Sequence, residues 1–217
     1  KPPRAFSDLE RPIRNAAGLG ETARADLYEF SYAMVERYVS VPSEACRAED
    51  PDHMNLGMRW AWVSQDALYA GSEHFDVFSI NCYKDSPVGE IARVGERTGK
   101  PILVGEFHHG ALDRGLPATG IRGVRTQRER GLAYRHYVET AAANPFSVGV
   151  HYFTLYDQAI LGRFDGENFQ IGLLDTCNRP YAEFVEEVAA TNSGIADVLA
   201  GRRAPFDEAQ DEATVGF

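Results

Sequence analysis

The chain has 217 residues, 44% of them hydrophobic, an ordinary globular composition that suits one domain and can bury a substantial core. Its 32 acidic residues against 22 basic ones leave a formal net charge of −10, which argues against a basic face for the phosphate backbone of nucleic acid. No run of about 18 apolar residues occurs, so nothing reads as a membrane-spanning helix.

Residues 1–22 are rich in Pro, Gly, Ala and charge and read as a lead-in segment. The opening KPPRAFSDLERP has no initiating Met and no apolar h-region, so the numbering is expected to begin inside a longer precursor or after a processed segment. From Ala23, Leu27, Phe30, Met34, Val35 and Tyr38 recur at helical spacing; the helix should run to about Val39 or on to Cys46, and Pro51 ends it. MNLGMRWAWV then reads as a strand. SQDALYAGSEH reads as a short helix with Ser64 as its N-cap. FDVFSINCY is a second strand. VGEIARVGERTGK is a helix closed by Gly99. PILVGEF, from Pro101, is a third strand, followed by a long polar loop from His108 to about Val124.

RTQRERGLAYRHYVETAAAN is expected to be a solvated outer helix with Leu132 and Tyr137 on its buried side. PFSVGVHYFTLYD is a fourth strand, DGENFQIGLLDTCNRP a loop with a short strand or hairpin, and PYAEFVEEVAATN a final helix with Pro180 in its first turn. Residues 202–217 read as a frayed acidic tail. Cys46, Cys82 and Cys177 are odd in number and widely spaced, which gives no disulfide framework; buried free thiols are expected.

Short, nearly continuous apolar strands alternating with helices mark an α/β fold with a parallel sheet covered on both faces. No GxGxxG or GxxxxGK[ST] supports a nucleotide site. Each strand ends in polar or aromatic groups instead: Arg59 and Trp60, then Asn81 and Tyr83, then Glu106 and His108, then His151 and Tyr152 through Asp157. In (β/α) barrels the C-terminal strand ends carry the chemistry. Glu106 is either a nucleophile or base, or a strand-end carboxylate paired with Arg59 or Arg114. His108, His109 and His151 could be metal ligands, although their spacing fits no known ligand pattern; the other reading makes His108 and His151 hydrogen-bonding groups of a polar pocket. Aromatic faces at Trp60, Trp62, Tyr83, Tyr152, Phe153 and Tyr156 suit a core or the apolar face of a sugar ring. Asn81, Gln158, Asn168 and Gln170 offer amides for paired hydroxyls, and Asp165 and Glu167 could join them.

GEFHHGALDRG together with VGVHYFTLYDQAILGRFDGENFQIGLLDTCNRPY resembles the C-terminal part of β-agarase-like glycoside hydrolases, within the clan of retaining (β/α)₈-barrel glycosidases. The resemblance covers roughly residues 55–187 and rests most on GRFDGENFQIG. It implies a TIM-barrel type fold, with residues 23–201 forming the half that holds strands 5–8. It implies a Glu nucleophile at Glu106, with Tyr83 orienting it. Arg59, Trp60, Asn81, His108, His151, Tyr152 as a platform, Asp157 and Asn168 would bind substrate. The substrate would be a β-linked, galactose-containing polysaccharide such as agarose. Neither cofactor nor metal is implied, and neither nucleic acid nor membrane is expected as a partner.

The resemblance also exposes a gap. The acid/base of that clan lies in an Asn-Glu pair, and this sequence has no such pair. Another chain, a second copy or an upstream segment is expected to supply the missing barrel half. The alternative is a non-catalytic carbohydrate-binding or degenerate remnant. Agarase-like action suggests an extracellular or periplasmic location.

Overall fold

The computed structural model describes residues 5–10 and 16–214. It is an α/β structure in which β1 (Phe78–Asn81), β2 (Ile102–Phe107) and β5 (Ser147–Tyr152) lie side by side, all parallel. The helices are α1 (Glu21–Glu49), α2 (Val88–Thr98), α3 (Gln127–Ala142) and α4 (Ala182–Leu199). The MNLGMRWAWV segment is extended but contributes only a single parallel bridge, Trp60 to Ile80. SQDALYAGSEH forms two short 3₁₀ turns, Asp66–Tyr69 and Ser72–His74, and Gln65, not Ser64, precedes the first. The long loop after β2 contains a small parallel pair, β3 (Gly110–Ala111) with β4 (Gly123–Val124).

Alternation along β2, shifted by one residue at an irregularity between Val104 and Phe107, explains the core. Ile102, Val104 and Phe107 are buried and pack with Ile91 and Val94 of α2 and Tyr134, Tyr137 and Val138 of α3. Leu103, Gly105 and Glu106 point the other way and are only half-buried. One face of the sheet is therefore covered by helices and the other is left partly open, where coverage of both faces was expected. α1 shows the same incompleteness. Val35 and Val39 enter the core, while Phe30, Met34 and Tyr38 stay exposed at i, i+4 and i+8. No helix among the described residues is long and apolar enough to cross a membrane.

α3 is not a solvated helix. Thr126 caps it in a reciprocal capping box with Glu129, and Arg130, Tyr137 and Glu139 are fully buried. The C-terminal segment is not frayed within the described residues. It folds back over α3, where Glu139 receives two bonds from Arg203, at 2.6 and 2.9 Å, and one from the Phe206 N–H at 2.7 Å. Further along, Ala213 N–H donates to Gly123 O at 2.8 Å. Of the cysteines only Cys82 is buried; Cys46 and Cys177 are exposed free thiols.

Burial alone would raise the Glu139 carboxyl, but Arg203, the Phe206 N–H and Arg135 outweigh it and hold the group below its usual range. A carboxyl depressed in the folded state contributes stability that is complete above its unfolded value and is lost as pH falls through the folded value. The urea midpoint of the wild type should therefore drop faster than that of Glu139→Gln as pH is lowered from about 6 to about 3, and the two curves should converge at the acid end. Parallel curves would refute the assignment.

Candidate active site

The open face of the sheet brings four strand-end residues together. Glu106 Oε2 accepts from Tyr83 Oη at 2.7 Å and from Asn81 Nδ2 at 2.8 Å. Glu106 Oε1 is ion-paired with Arg59. Gly105 makes this possible, because a Cβ there would stand 2.9 Å from Arg59 Cγ and block the stem that lies across the strand. The Glu106 side chain is largely but not wholly buried. All three partners donate, an arrangement that suits a carboxylate rather than a carboxylic acid. Of the two arginines expected to compete for Glu106, Arg59 takes the place, while Arg114 pairs with Glu183.

Tyr83 is pushed up to about 12, first by burial, so it remains a neutral donor across any ordinary working pH. Its ring packs 4.8 Å from that of His108. His108 is 2% exposed, and its Nε2 accepts from the Ile121 N–H at 3.0 Å. An accepting Nε2 places the ring proton on Nδ1, and that atom is buried without a partner, as is Asn81 Oδ1. Burial, helped by Arg130, lowers the His108 imidazole to about 3, so the ring is neutral at ordinary working pH. The loop Gln158–Phe169 borders the same place: Phe169 packs edge-on to His108, and the charges of Arg163 and Glu167 are felt at Tyr83.

Several expected ligands of substrate face elsewhere. Tyr152 alternates onto the helix side of β5; its Oη donates to His109 O and accepts from Arg130 Nη2, both at 2.8 Å, and its ring meets Phe107, Tyr134 and Phe184. It is partly buried and packs against the core on the face away from Glu106, which is not where a sugar platform was expected. Trp60, next to Arg59 and so on the opposite face, packs against the same core. Asp157 is buried and accepts from Gly172 N–H at 2.8 Å and Tyr181 Oη at 2.6 Å, which pins the loop to the start of α4. Burial raises its carboxyl above the usual range.

Gln158 spends its whole amide on the protein, donating to Glu167 and accepting from the Phe169 N–H, whereas Gln170 accepts through its oxygen from the Ala111 N–H and leaves its Nε2 buried without a partner. Asp165 and Glu167 pair with Arg163. His151 is exposed, on the Gly149 side of β5, and Asn168 is half-buried beside Phe169. The three histidines that could have formed a metal site do not converge. His108 is held by Ile121, His109 lies against Phe107 and Tyr137, and His151 is exposed. Ile121 and Arg163 carry no cue in the sequence, since a backbone N–H and a loop arginine belong to no motif.

No protein-family model matches the chain. It is 32% identical over 180 residues to β-agarase A of Vibrio sp. (strain JT0107), a match covering 79% of the chain, and 29% identical over 196 residues to β-agarase B of the same strain, covering 88%. Among solved structures it is similar to an exo-β-agarase, at 31% identity and a TM-score of 0.79 over 86% of the chain. The chain spans only 18% and 20% of the two Vibrio proteins and 26% of the exo-β-agarase. In sequence and in backbone alike, the chain is agarase-like over a segment of much larger proteins.

Proposed function

We propose that this chain is the nucleophile-bearing part, strands 5–8 of a (β/α)₈ barrel, of a retaining glycosidase that cleaves a β-linked, galactose-containing polysaccharide such as agarose. The observation that carries this reading is the Glu106 carboxylate at the end of β2, held by Arg59, Asn81 and Tyr83 on the open face of the sheet. The β-agarase relatives support the substrate class. The unpartnered Asn81 Oδ1 and His108 Nδ1–H offer an acceptor and a donor for sugar hydroxyls, since buried polar atoms of this kind otherwise find partners. His151 and Asn168, exposed and half-buried, are assigned to substrate in the same reading.

Glu106 attacks the anomeric carbon as the bond to the leaving oxygen breaks, and that oxygen takes a proton from a second carboxyl group. Water then attacks the anomeric carbon of the glycosyl ester, gives a proton to the same group, and frees Glu106. The two carboxyl groups of retaining enzymes stand about 5–5.5 Å apart. The second is assigned to a segment outside this chain, whether upstream sequence, another chain or a second copy. The exposed apolar face of α1 and the partly open sheet are where such a segment would pack. A polymeric substrate would fit an extracellular or periplasmic setting.

An activated 2-deoxy-2-fluoro-galactosyl inactivator should add one sugar to the intact protein, on Glu106 alone. Glu106→Gln should remain unlabelled. A label on any other residue would sink the assignment, and no label on the wild type favours the non-catalytic alternative.

A further inference from the structure

We infer that Arg122, clamped by the C-terminal segment, is a positioning residue for the Glu106 site, acting through Tyr83 and His108. This role rests on the functional reading above but adds a residue and a segment to it. Arg122 stands in the loop between β3 and β4, and its side chain is mostly buried. Its Nη2 contacts Asp85 Oδ1 at 2.5 Å, and its Nη1 donates to Glu212 Oε1 at 2.7 Å. Its carbonyl accepts from the Gly110 N–H at 2.9 Å.

Two routes lead from this point to the carboxylate. Asp85 lies two residues after Tyr83, so the first ion pair anchors the loop that aims the Tyr83 hydroxyl at Glu106. Ile121, next to Arg122, donates its N–H to His108 Nε2, and the His108 ring packs on Tyr83. Arg122 thus fixes both the backbone behind Tyr83 and the ring beside it. The C-terminal segment holds Arg122 in turn, through Glu212 and through Ala213 N–H to Gly123 O. Arg203 and Phe206 anchor that segment on Glu139. A mostly buried guanidinium shared between two half-exposed carboxylates from distant segments has a more fixed direction than a single exposed pair. The acidic terminus is in this sense part of the site.

The test uses the full chain with Arg122→Gln, Arg122→Lys and the milder Asp85→Asn. Two signals are read: the ¹⁵N shifts of the His108 ring, and the rate of Glu106 labelling by the fluorosugar. In the wild type His108 should show a protonated Nδ1 and a bare Nε2. Arg122→Gln and Asp85→Asn should each slow labelling about tenfold or more; Arg122→Gln should also mix the His108 tautomers, and Arg122→Lys should recover part of both. Unchanged ring shifts and labelling in a folded Asp85→Asn and Arg122→Gln would overturn the proposal. If the wild type is not labelled at all, the functional reading fails, while the ring shifts still decide whether Arg122 sets the geometry.

Discussion

Arg130→Met is expected to destabilise the chain by about 2–4 kcal/mol, a large share of the stability of a domain of this size. Arg130 is 0% exposed, yet its hydrogen bonds all run to neutral acceptors. Its Nε donates to His109 O at 2.6 Å, its Nη1 to Gln127 Oε1 at 3.1 Å, and its Nη2 to Tyr152 Oη and Gly172 O, both at 2.8 Å. The guanidinium also lies 3.9 Å from the centre of the Phe184 ring, where the ring face favours a cation. Removing it leaves Gln127 Oε1 and Gly172 O without these donors in a buried setting, at about 1–3 kcal/mol each. Relief of a desolvated charge offsets part of that loss. Lysine should rescue poorly, because a single ammonium cannot reach acceptors that a planar fork spans from α3 to β5 and the loop before α4. Urea melts of the wild type, Arg130→Met and Arg130→Lys measure the effect. A loss below about 1 kcal/mol for Arg130→Met would show that the four bonds add little beyond what water supplies.

Arg130 also marks where sequence reading stops. QRERGLAYRHYVE has the charge density of a surface helix, and hydrophobic spacing is the only evidence a sequence offers about its sides. Nothing local reveals that Arg130 and Glu139 find several partners each on β5, the loops and the C-terminal segment, and so can be buried. Glu106 was legible for the opposite reason. A carboxylate ending an apolar strand is a local anomaly, and Asn81 and Tyr83 end the preceding strand at the matching height. The parallel sense of the strands followed from alternation with helices. The faces of β5 did not: a period of two leaves the parity of Tyr152 and His151 undecided until the register with β2 is known. Tyr152, the expected platform, turns into the core for that reason. The frayed-tail expectation failed in the same way as the α3 one, because an acidic segment looks solvated until its arginine partners are brought beside it.

The rate at which this chain glycosylates Glu106 should depend steeply on the leaving group. Under the proposed function the acid comes from outside the chain, so departure here is unassisted and an aryloxide must leave with its full negative charge. A dinitrophenyl β-galactoside carries that charge well and should react; a nitrophenyl analogue should be far slower, and the natural polysaccharide slower still. General acid assistance typically contributes about 10²–10⁴-fold. Adding the proposed complementary segment should accelerate the poor leaving groups by roughly that factor and the dinitrophenyl substrate very little. The pH profile gives a second sign. Tyr83, held up to about 12, keeps its proton on the Glu106 side through the neutral and mildly alkaline range. The isolated chain should therefore show no alkaline loss of glycosylation between about pH 7 and about pH 10, whereas the completed enzyme should acquire one as its acid ionises. Burst kinetics with the two aryl substrates, with and without the complementary segment, measure both. Equal acceleration of good and poor leaving groups would mean that the added segment only binds substrate, and that the acid must be sought elsewhere.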